Sequence, residues 1–493
     1  MAQSATLEEQ VTSLLSGNRI YTDNQEEWQF LMESYLGGLD YQDGLHLTRY
    51  QTETAQEYGR RLQSTPMENH SHSVISLYNS FLFRTSPARE YNSIENAPEL
   101  EGFLKDCDHD GRSLDAFMRD ACTWASVHGQ SWILVAKPDI GALTRADEIL
   151  QDVRPYLTLV TSLAMLDWSW SRSPSGRYYL DYIRYVEDIN GDVTYVKEWF
   201  TDEIITTAIN TDDRVILERV VEENGLGFIP AVCLQNGRGI VRGMGVSDIS
   251  DISRIQKFQY NAFSEIQQSM ILDSHPSLVT TPDVEIGTGA GSILRVPENL
   301  DAGLKPYLLE YSGASIDKIL ASVASLNGSV DRMANTGATR ATEVRNMSGV
   351  AMEVEFQNLN SKLSEKASYL ELAEEQIWRI WCAYQDYPYD VYIEYPNSFA
   401  VRDTDREYQQ LKMAKDTATN PELLREIDNK LAELMGIELG EEMEHPTTIE
   451  GEDRSAHIQE MIMQGYEDAE MLNLHPEINQ ADIDAAKAEL LNV

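Results

Sequence analysis

Apolar side chains recur every three or four positions along much of the first 130 residues, a spacing that places them on one face of a helix. This pattern predicts helices over 26–36, 52–63, 113–128 and, from Pro66 to Pro87, a further helical segment. Gly37-Gly38 is expected to end the first of these helices, because glycine adopts the left-handed conformation of a helix C-terminus without steric cost. The N-terminal region is therefore predicted to be mainly helical.

Between 155 and 235 the pattern changes to short runs rich in β-branched and aromatic residues, which is typical of strands. Asn190-Gly191 separates two of these runs and favours a tight hairpin, whose central residues need positive φ. We expect the runs to form an antiparallel meander that ends between Gly225 and Pro230. The predicted strands lie at 131–136, 156–161, 178–187, 193–200, 203–209 and 214–221, of which the first precedes the meander.

A glycine-rich segment at 236–246 precedes two long helical patterns. The first helix is expected to begin at Ser247 or Asp248 and to end at His275-Pro276. The second is expected to begin at an N-cap on Ser315. Its predicted apolar face consists of Ile316, Ile319, Leu320, Val323, Leu326, Val330 and Met333.

The longest apolar stripe follows, from about Gly349 to Tyr384, and no proline interrupts it. A helix of that length would span about 50 Å, far beyond the mean helix of ~11–12 residues. A strand over 389–395 and a set of acidic helices, one of them beginning at Asn420-Pro421, are predicted to complete the chain. Together these elements predict an α+β protein that is mainly helical.

Composition narrows the functional classes. The chain has 493 residues, of which 42% are hydrophobic, enough for more than one core. Lys and Arg number 39 against 81 Asp and Glu, a formal charge of −42 that would repel nucleic acid from most of the surface. A channel that lets DNA pass without gripping it would also be acidic, and so would a protein that is simply very soluble.

The N-terminus has neither a basic nor an apolar signal region, and no run of about 18–20 uncharged apolar residues occurs, so we expect a soluble, unexported protein. The four cysteines lie far apart in the sequence and are expected to be free buried thiols. They are Cys107, Cys122, Cys233 and Cys382.

No catalytic or metal-binding pattern in the sequence favours an enzyme. Residues 106–111 begin like a calcium loop, but Leu114 and Phe117 occupy its ninth and twelfth ligand positions, so an acidic loop that caps the helix at 113 is favoured. The chain contains no phosphate-binding glycine loop with its lysine, no zinc-protease motif and no nucleophile elbow. His70 and His72 alternate as if on one face of an extended segment. We predict no catalytic residue, no metal and no cofactor.

The segment Asn335–Ser348 is rich in Thr, Gly and Asn and carries Arg340 and Arg345, which are conspicuous in an acidic chain. Arginines in a loop between two long helices could contact phosphates weakly. Taken alone, the segment fits better as an exposed interhelical loop in which Glu343 pairs with one of the arginines.

The order of these parts resembles the portal proteins of tailed bacteriophages. Three short motifs carry the resemblance: Gly245-Val246-Ser247-Asp248-Ile249 before the first long helix, Asn261 with Ser264-Glu265 within it, and Ser348-Gly349-Val350-Ala351 at the start of the longest helix. The likeness covers about 30–400 and is strongest over 236–384. The last segment, 455–493, does not look like the long coiled barrel of some members, so a short crown is expected.

The resemblance implies a portal-type fold with an α/β wing, a two-helix stem, a small β clip and a helical crown. The implied parts are the wing at 1–235, the hinge and first stem helix at 236–272, the clip at 273–314, the second stem helix at 315–334, the tunnel loop at 335–348, the long channel-to-wing helix and a returning wing strand at 349–400, and the crown at 401–493. Stem residues would include Asp248, Asn261 and Glu265. The DNA-facing residues of the tunnel loop would be Thr336, Thr339, Arg340, Thr342, Arg345 and Asn346.

The same resemblance implies a homo-oligomeric ring, usually of twelve subunits, at one capsid vertex of a virion, assembled in the host cytoplasm. Double-stranded DNA would pass through the ring without sequence specificity, driven by a separate terminase motor. A tail adaptor and a major capsid or scaffolding protein would be its other partners, and no membrane would be involved. The alternatives are an acidic monomeric capsid- or tail-associated adaptor and, with no residues to support it, a hydrolase.

Overall fold

The computed structural model describes residues 7–138, 144–274, 314–337 and 349–399, short stretches at 141, 277–279, 301 and 307–309, and scattered positions beyond 410. The chain divides into two compact units, Met1–Ala400 and Val401–Val493. In the second unit, Ile458, Met461, Ile483 and Ala486 are buried together. Most of the predicted crown lies outside the described residues.

Helices make up the larger part of the described first unit. They are α1 (Leu7–Leu15), α2 (Arg19–Leu36), α3 (Gly38–Asp43), α4 (Ala55–Ser64), α5 (His70–Leu82), α6 (Leu100–Lys105), α7 (Leu114–His128), α8 (Arg145–Leu150), α9 (Ser250–Ser274), α10 (Ala314–Ala334) and α11 (Gly349–Gln385). Local sequence sets several ends. Thr54 and Glu57 form a capping box at α4. Helix α2 ends at Leu36, and Gly37, with a φ of 68°, follows it, which confirms the predicted stop.

Strands form four small sheets in the described part of the chain. They are β1 (Ala88–Glu90), β2 (Gln130–Ala136), β3 (Tyr156–Thr161), β4 (Met165–Arg172), β5 (Tyr178–Asn190), β6 (Val193–Phe200), β7 (Glu203–Asn210), β8 (Val215–Glu223), β9 (Ala231–Gln235), β10 (Ser277–Val279), β11 (Tyr307–Leu309) and β12 (Tyr392–Glu394). The combination of helices and antiparallel sheets confirms the α+β class.

The largest sheet is a five-stranded antiparallel meander in the order β4-β5-β6-β7-β8. The prediction of a meander was correct, but its membership was wrong. The run at 156–161 is β3, which pairs with β2, and β9 pairs with the other edge of β2. Strands β4 and β9 were not predicted.

The hairpin between β5 and β6 was predicted from Asn190-Gly191. Asn190 pairs with Val193, so the two-residue turn consists of Gly191 and Asp192. Only Gly191 has positive φ, at 60°, which fits a type II′ turn with glycine in the first central position. The hairpin was thus predicted correctly with its turn displaced by one residue.

One large hydrophobic core packs the helices against the three-stranded sheet of β3, β2 and β9. Residues of α5, α7, β2, β9 and α11 are buried in it, including Trp378 and Trp381 of α11 and Phe103 of α6. The predicted stripe of α11 is confirmed from Leu359 onward, where Leu359, Leu363, Leu370, Ala373, Ile377 and Trp381 are all buried. Phe356, a further predicted member, is half-buried, and the side chain of Met352 lies outside the described residues. Burying one such leucine contributes roughly 1.5–3 kcal/mol, so the stripe fixes α11 to the rest of the unit.

Three local predictions need correction. His70 and His72 lie in the first turn of α5 rather than in an extended segment, so two residues of separation place them about 200° apart around the helix. The helix predicted from Ser247 or Asp248 begins at Ser250, and both residues precede it. The strand predicted over 389–395 is three residues long and pairs with β1.

Candidate functional site

The segment that enters α9 lies against the C-terminal end of α7. Asp248 donates its backbone N–H to the Ser126 carbonyl at 3.0 Å, and Ser247 donates its hydroxyl to the Val127 carbonyl at 2.7 Å. The Ser247 hydroxyl also accepts the backbone N–H of Ile249 at 3.1 Å. The serine and aspartate of the motif therefore attach the start of α9 to α7 before the helix begins.

Two glycines make this close approach possible. A Cβ on Gly245 would lie 1.9 Å from the carbonyl oxygen of Gly129, and Gly129 itself has a φ of 95°. Backbone contact at that distance excludes any side chain. The glycine of the motif thus allows two chain segments to touch.

The carboxylate of Asp248 is buried between two lysines of α11. Its oxygens lie 2.7 Å from Lys366 Nζ and 3.1 Å from Lys362 Nζ. Burial alone would raise the pKa of Asp248, but the two ammonium groups hold the pKa below its usual range. The charged carboxylate is therefore the stable form in the folded chain.

Lys366 connects further elements to this ion pair. Its side chain is only 4% exposed, and its ammonium donates to the Ser126 hydroxyl at 2.8 Å and to the Asn236 side-chain oxygen. Asn236 in turn donates to the Val246 carbonyl at 2.9 Å. One buried ammonium thus joins α7, the glycine-rich segment, the entry to α9 and α11.

The other two predicted stem residues attach α9 to the segment before α4. Asn261 accepts the backbone N–H of Thr48 at 2.8 Å and donates to the His46 carbonyl at 3.1 Å. Glu265 accepts the Tyr50 hydroxyl at 2.6 Å. Burial and this hydrogen bond raise the pKa of Tyr50 to about 12.

Ser264, between them in the motif, accepts a hydrogen bond from the buried guanidinium of Arg61 at 3.0 Å. Arg61 also forms an ion pair with Glu53 at 2.8 Å and lies over the ring of Tyr50, 4.1 Å from its centroid. The described motif residues of α9 therefore form a row of contacts with the N-terminal helical region.

Helix α10 packs against α9 along a narrow strip. Gln259 donates to Asn327 at 2.6 Å across the two helices. Of the seven apolar positions predicted for α10, only Val323 and Val330 are buried by this chain. Leu320 and Met333 are exposed, and so is Phe258 on α9. Ile316, Ile319 and Leu326 are half-buried. A helix with an apolar stripe that its own chain covers only in part is typical of an assembly surface.

The C-terminal end of α10 is well defined. Asn335 has a φ of 55° and ends the helix, and the Ala334 carbonyl accepts the Tyr78 hydroxyl at 2.6 Å. Thr336 is buried. The other predicted tunnel-loop residues, Thr339, Arg340, Thr342, Arg345 and Asn346, lie outside the described residues, so their role stays a prediction.

The acidic loop at 106–111 uses its carboxylates internally. Asp108 accepts the backbone N–H groups of Asp110 and Arg112 and pairs with the Arg112 guanidinium, while Asp106 accepts the N–H of Gly111. The helix that follows is capped instead by Ser113, whose side chain accepts from Ala116. The loop is therefore structural, as predicted. Its carboxylates stabilise the loop itself, however, and do not cap α7.

Three further observations concern the described residues. Within them, no cluster of three or more His, Cys, Asp or Glu side chains could hold a metal ion. No helix in the described part of the chain is both long and apolar enough to cross a membrane. All four cysteines are free, and three of them are buried.

The lysine partners of Asp248 were not predicted from the sequence. A signal for them existed, because Lys362 and Lys366 are four residues apart and so lie on one face of α11 in a chain poor in lysine. Which carboxylate they would meet could not be read from the sequence, since Asp248 lies more than a hundred residues away.

No protein-family model and no curated protein matches this chain. Among solved structures, it is similar to a chain from the neck of a native gene transfer agent particle computed with C12 symmetry, at 10% identity and a TM-score of 0.44, covering 86% of this chain and 99% of that chain. A neck chain of an empty particle computed with C6 symmetry has 10% identity and a TM-score of 0.42, covering 77% and 95%. A chain from the virion of a native particle has 11% identity and a TM-score of 0.42, covering 73% and 89%. Similarity at this level does not assign the chain to a family.

Proposed function

We propose that this chain is the subunit of a portal-type ring at one capsid vertex, through which double-stranded DNA passes during packaging and ejection. The observation that carries the proposal is the apolar face of α10, which the chain itself covers only in part. The sequence places seven apolar residues on that face, and the chain itself buries two of them. In a ring, the neighbouring subunit would cover the rest.

The motif contacts support the same proposal. The long helices of a portal-type ring must be held in fixed directions. Here Asp248 holds the start of α9 against α11. Asn261 and Glu265 hold α9 against the N-terminal region. These residues have structural partners and no free reactive group. Their arrangement suits a mechanical scaffold and offers no catalytic constellation.

In this proposal, 273–314 would form the clip that meets a tail adaptor, and 335–348 would line the channel. The wing would face a major capsid or scaffolding protein, and a terminase motor would supply the energy for packaging. Within 273–314, strands β10 and β11 form an antiparallel pair. The mature location would be the virion, after assembly in the host cytoplasm.

The test is the state of assembly of the purified chain, measured by mass photometry and negative-stain imaging at low and high salt. We expect annular particles for the wild type. Leu320→Glu places a charge on the α10 face, where the leucine is 47% exposed, and should prevent ring formation while the chain stays folded.

Ile189→Glu is the matched control, because Ile189 is 66% exposed at the β5–β6 hairpin. It should assemble as the wild type does. A wild type that stays monomeric or dimeric at every salt concentration would contradict the ring and favour the acidic adaptor. Rings formed equally well by Leu320→Glu would refute the argument from α10.

A further inference from the structure

The two edges of the five-stranded sheet differ in chemistry. At one edge, the β4–β5 hairpin carries Arg172 and Arg177 with no acidic residue between them, beside the exposed rings of Tyr178 and Tyr179. Arg242 adds a third guanidinium, 3.9 Å from the Tyr178 ring centroid and 5.7 Å from that of Trp170. Together with Ile240, the residues Arg172, Arg177, Tyr178, Tyr179 and Arg242 form what we term the arginine–aromatic patch.

The loop that supplies Ile240 and Arg242 is held in place. Met244 donates its N–H to the Val241 carbonyl and accepts the N–H of Gly239, both at 3.1 Å. The Gln235 side chain donates to the Met244 carbonyl at 2.7 Å, and Gly243 has a φ of 81°. Little conformational entropy would therefore be lost when the tip of this loop is bound.

Ile240 is fully exposed at this tip, and the neighbouring Val241 is also exposed. Isolated exposed apolar residues are common, but these two lie together on a rigid loop beside arginines and tyrosines, residue types that are enriched at protein-binding surfaces. Phosphate groups would gain nothing from the aliphatic pair. The composition therefore favours a protein partner over nucleic acid.

The opposite edge of the sheet is β8. Within the described residues β8 pairs only with β7, and its side chains are exposed except for Ile216, which is half-buried. It carries Glu218, Glu222 and Glu223 against a single arginine, and Val215, Leu217, Val220 and Val221 are exposed among them. This edge is acidic and aliphatic, the complement of the patch in charge and polarity.

We infer that the arginine–aromatic patch of one copy binds the β8 edge of a second copy. The inference rests on the proposed ring and adds to it a contact between the five-stranded sheets of neighbouring copies. Arginines would meet arginines if two patches bound each other, so the acidic β8 edge is the complementary partner for the patch. A contact between different surfaces of identical chains is heterologous, and such contacts close into rings when the rotation allows.

Charge reversal tests the contact. Arg177→Glu and Glu222→Arg change exposed side chains at the two edges, and each should raise the protein concentration at which half of the chains are assembled by at least ten-fold. The double variant Arg177→Glu with Glu222→Arg restores opposite charges at every interface and should return that concentration to near the wild-type value. Arg19→Glu, at a position whose side chain is 94% exposed on α2, is the control and should assemble normally.

Thermal unfolding of each variant shows that it folds, and mass photometry over a concentration series gives the midpoint. If the wild type forms no rings, both the ring and this contact are refuted. If the wild type forms rings and the two single variants assemble equally well, only the sheet contact is refuted. A double variant no better than the single ones would also refute it, as would variants that assemble normally but lose affinity for double-stranded DNA.

Discussion

Replacing Lys366 with methionine tests whether the buried ion pair holds α11 against the entry to α9. Methionine keeps most of the length and apolar stem of lysine but removes the ammonium. Asp248 would then remain buried with one ammonium, that of Lys362, at 3.1 Å. The Ser126 hydroxyl and the Asn236 side chain would each lose a charged donor.

The magnitude follows from the burial of both partners, whose side chains are 4% and 6% exposed. Removing one member of a buried ion pair costs about 3–5 kcal/mol, because the other charge stays buried without compensation. Lys362 still faces the second oxygen of Asp248, so we expect the lower end, about 3 kcal/mol. Asp248→Asn combined with Lys366→Met should cost less than the sum of the single changes, since it leaves no uncompensated charge between them.

The assay is urea unfolding followed by circular dichroism under conditions in which the chain is monomeric, with Lys105→Met as the control. Lys105 is 73% exposed and pairs with Glu101 on the surface of α6, so its replacement should not change stability measurably. If Lys366→Met unfolds at the same urea concentration as Lys105→Met, the ion pair does not hold α11 in place.

Further predictions address pH, the loop and the glycines. The pKa of Asp248 is lower in the folded chain, so its contribution to the free energy of unfolding is complete above the unfolded-state pKa of about 3.9 and is lost as the pH falls from there through the folded-state pKa. The stability difference between wild type and Asp248→Asn should therefore shrink on acidification. Urea unfolding at pH values from 7 to 3 measures that difference. Arg340→Ala with Arg345→Ala should leave rings intact in negative stain and alter DNA packaging or retention; loss of rings would make the loop structural. Gly245→Ala should lower the melting temperature, because its Cβ would meet backbone 1.9 Å away, whereas Gly59→Ala in α4, with nothing within 4 Å, should not.

Sequence periodicity predicted the long helices well because their packing is one-sided and regular. The α11 stripe from Leu359 to Trp381 repeats the helical period over many turns, so local pattern and tertiary burial agree. Strand membership was harder, because pairing depends on partners far away in the chain. The alternation of Trp168 and Trp170 with serines in β4 was a readable period of two, but five-residue β9 gives no such signal.

The candidate site was likewise predicted only in part from the sequence. The motif residues Asp248, Asn261 and Glu265 could be selected from the sequence, but their partners could not. Lys366 lies more than a hundred residues from Asp248, Thr48 lies 213 residues from Asn261, and Tyr50 lies 215 residues from Glu265. Only the fold brings them to α9. The hydrogen bonds of the Asn261 amide to a backbone N–H and a carbonyl have no sequence signature at all.

The position of β9 has a consequence for synthesis of the chain. Strand β2 ends at Ala136 and pairs with β9, which begins at Ala231. A ribosome adding ~5–20 residues per second needs on the order of 5–20 seconds to make the intervening segment. During that time one edge of β2, a run of mostly apolar residues centred on Trp132, Ile133 and Leu134, has no partner strand from this chain. This edge of β2 is therefore open to misassembly or chaperone binding until β9 emerges.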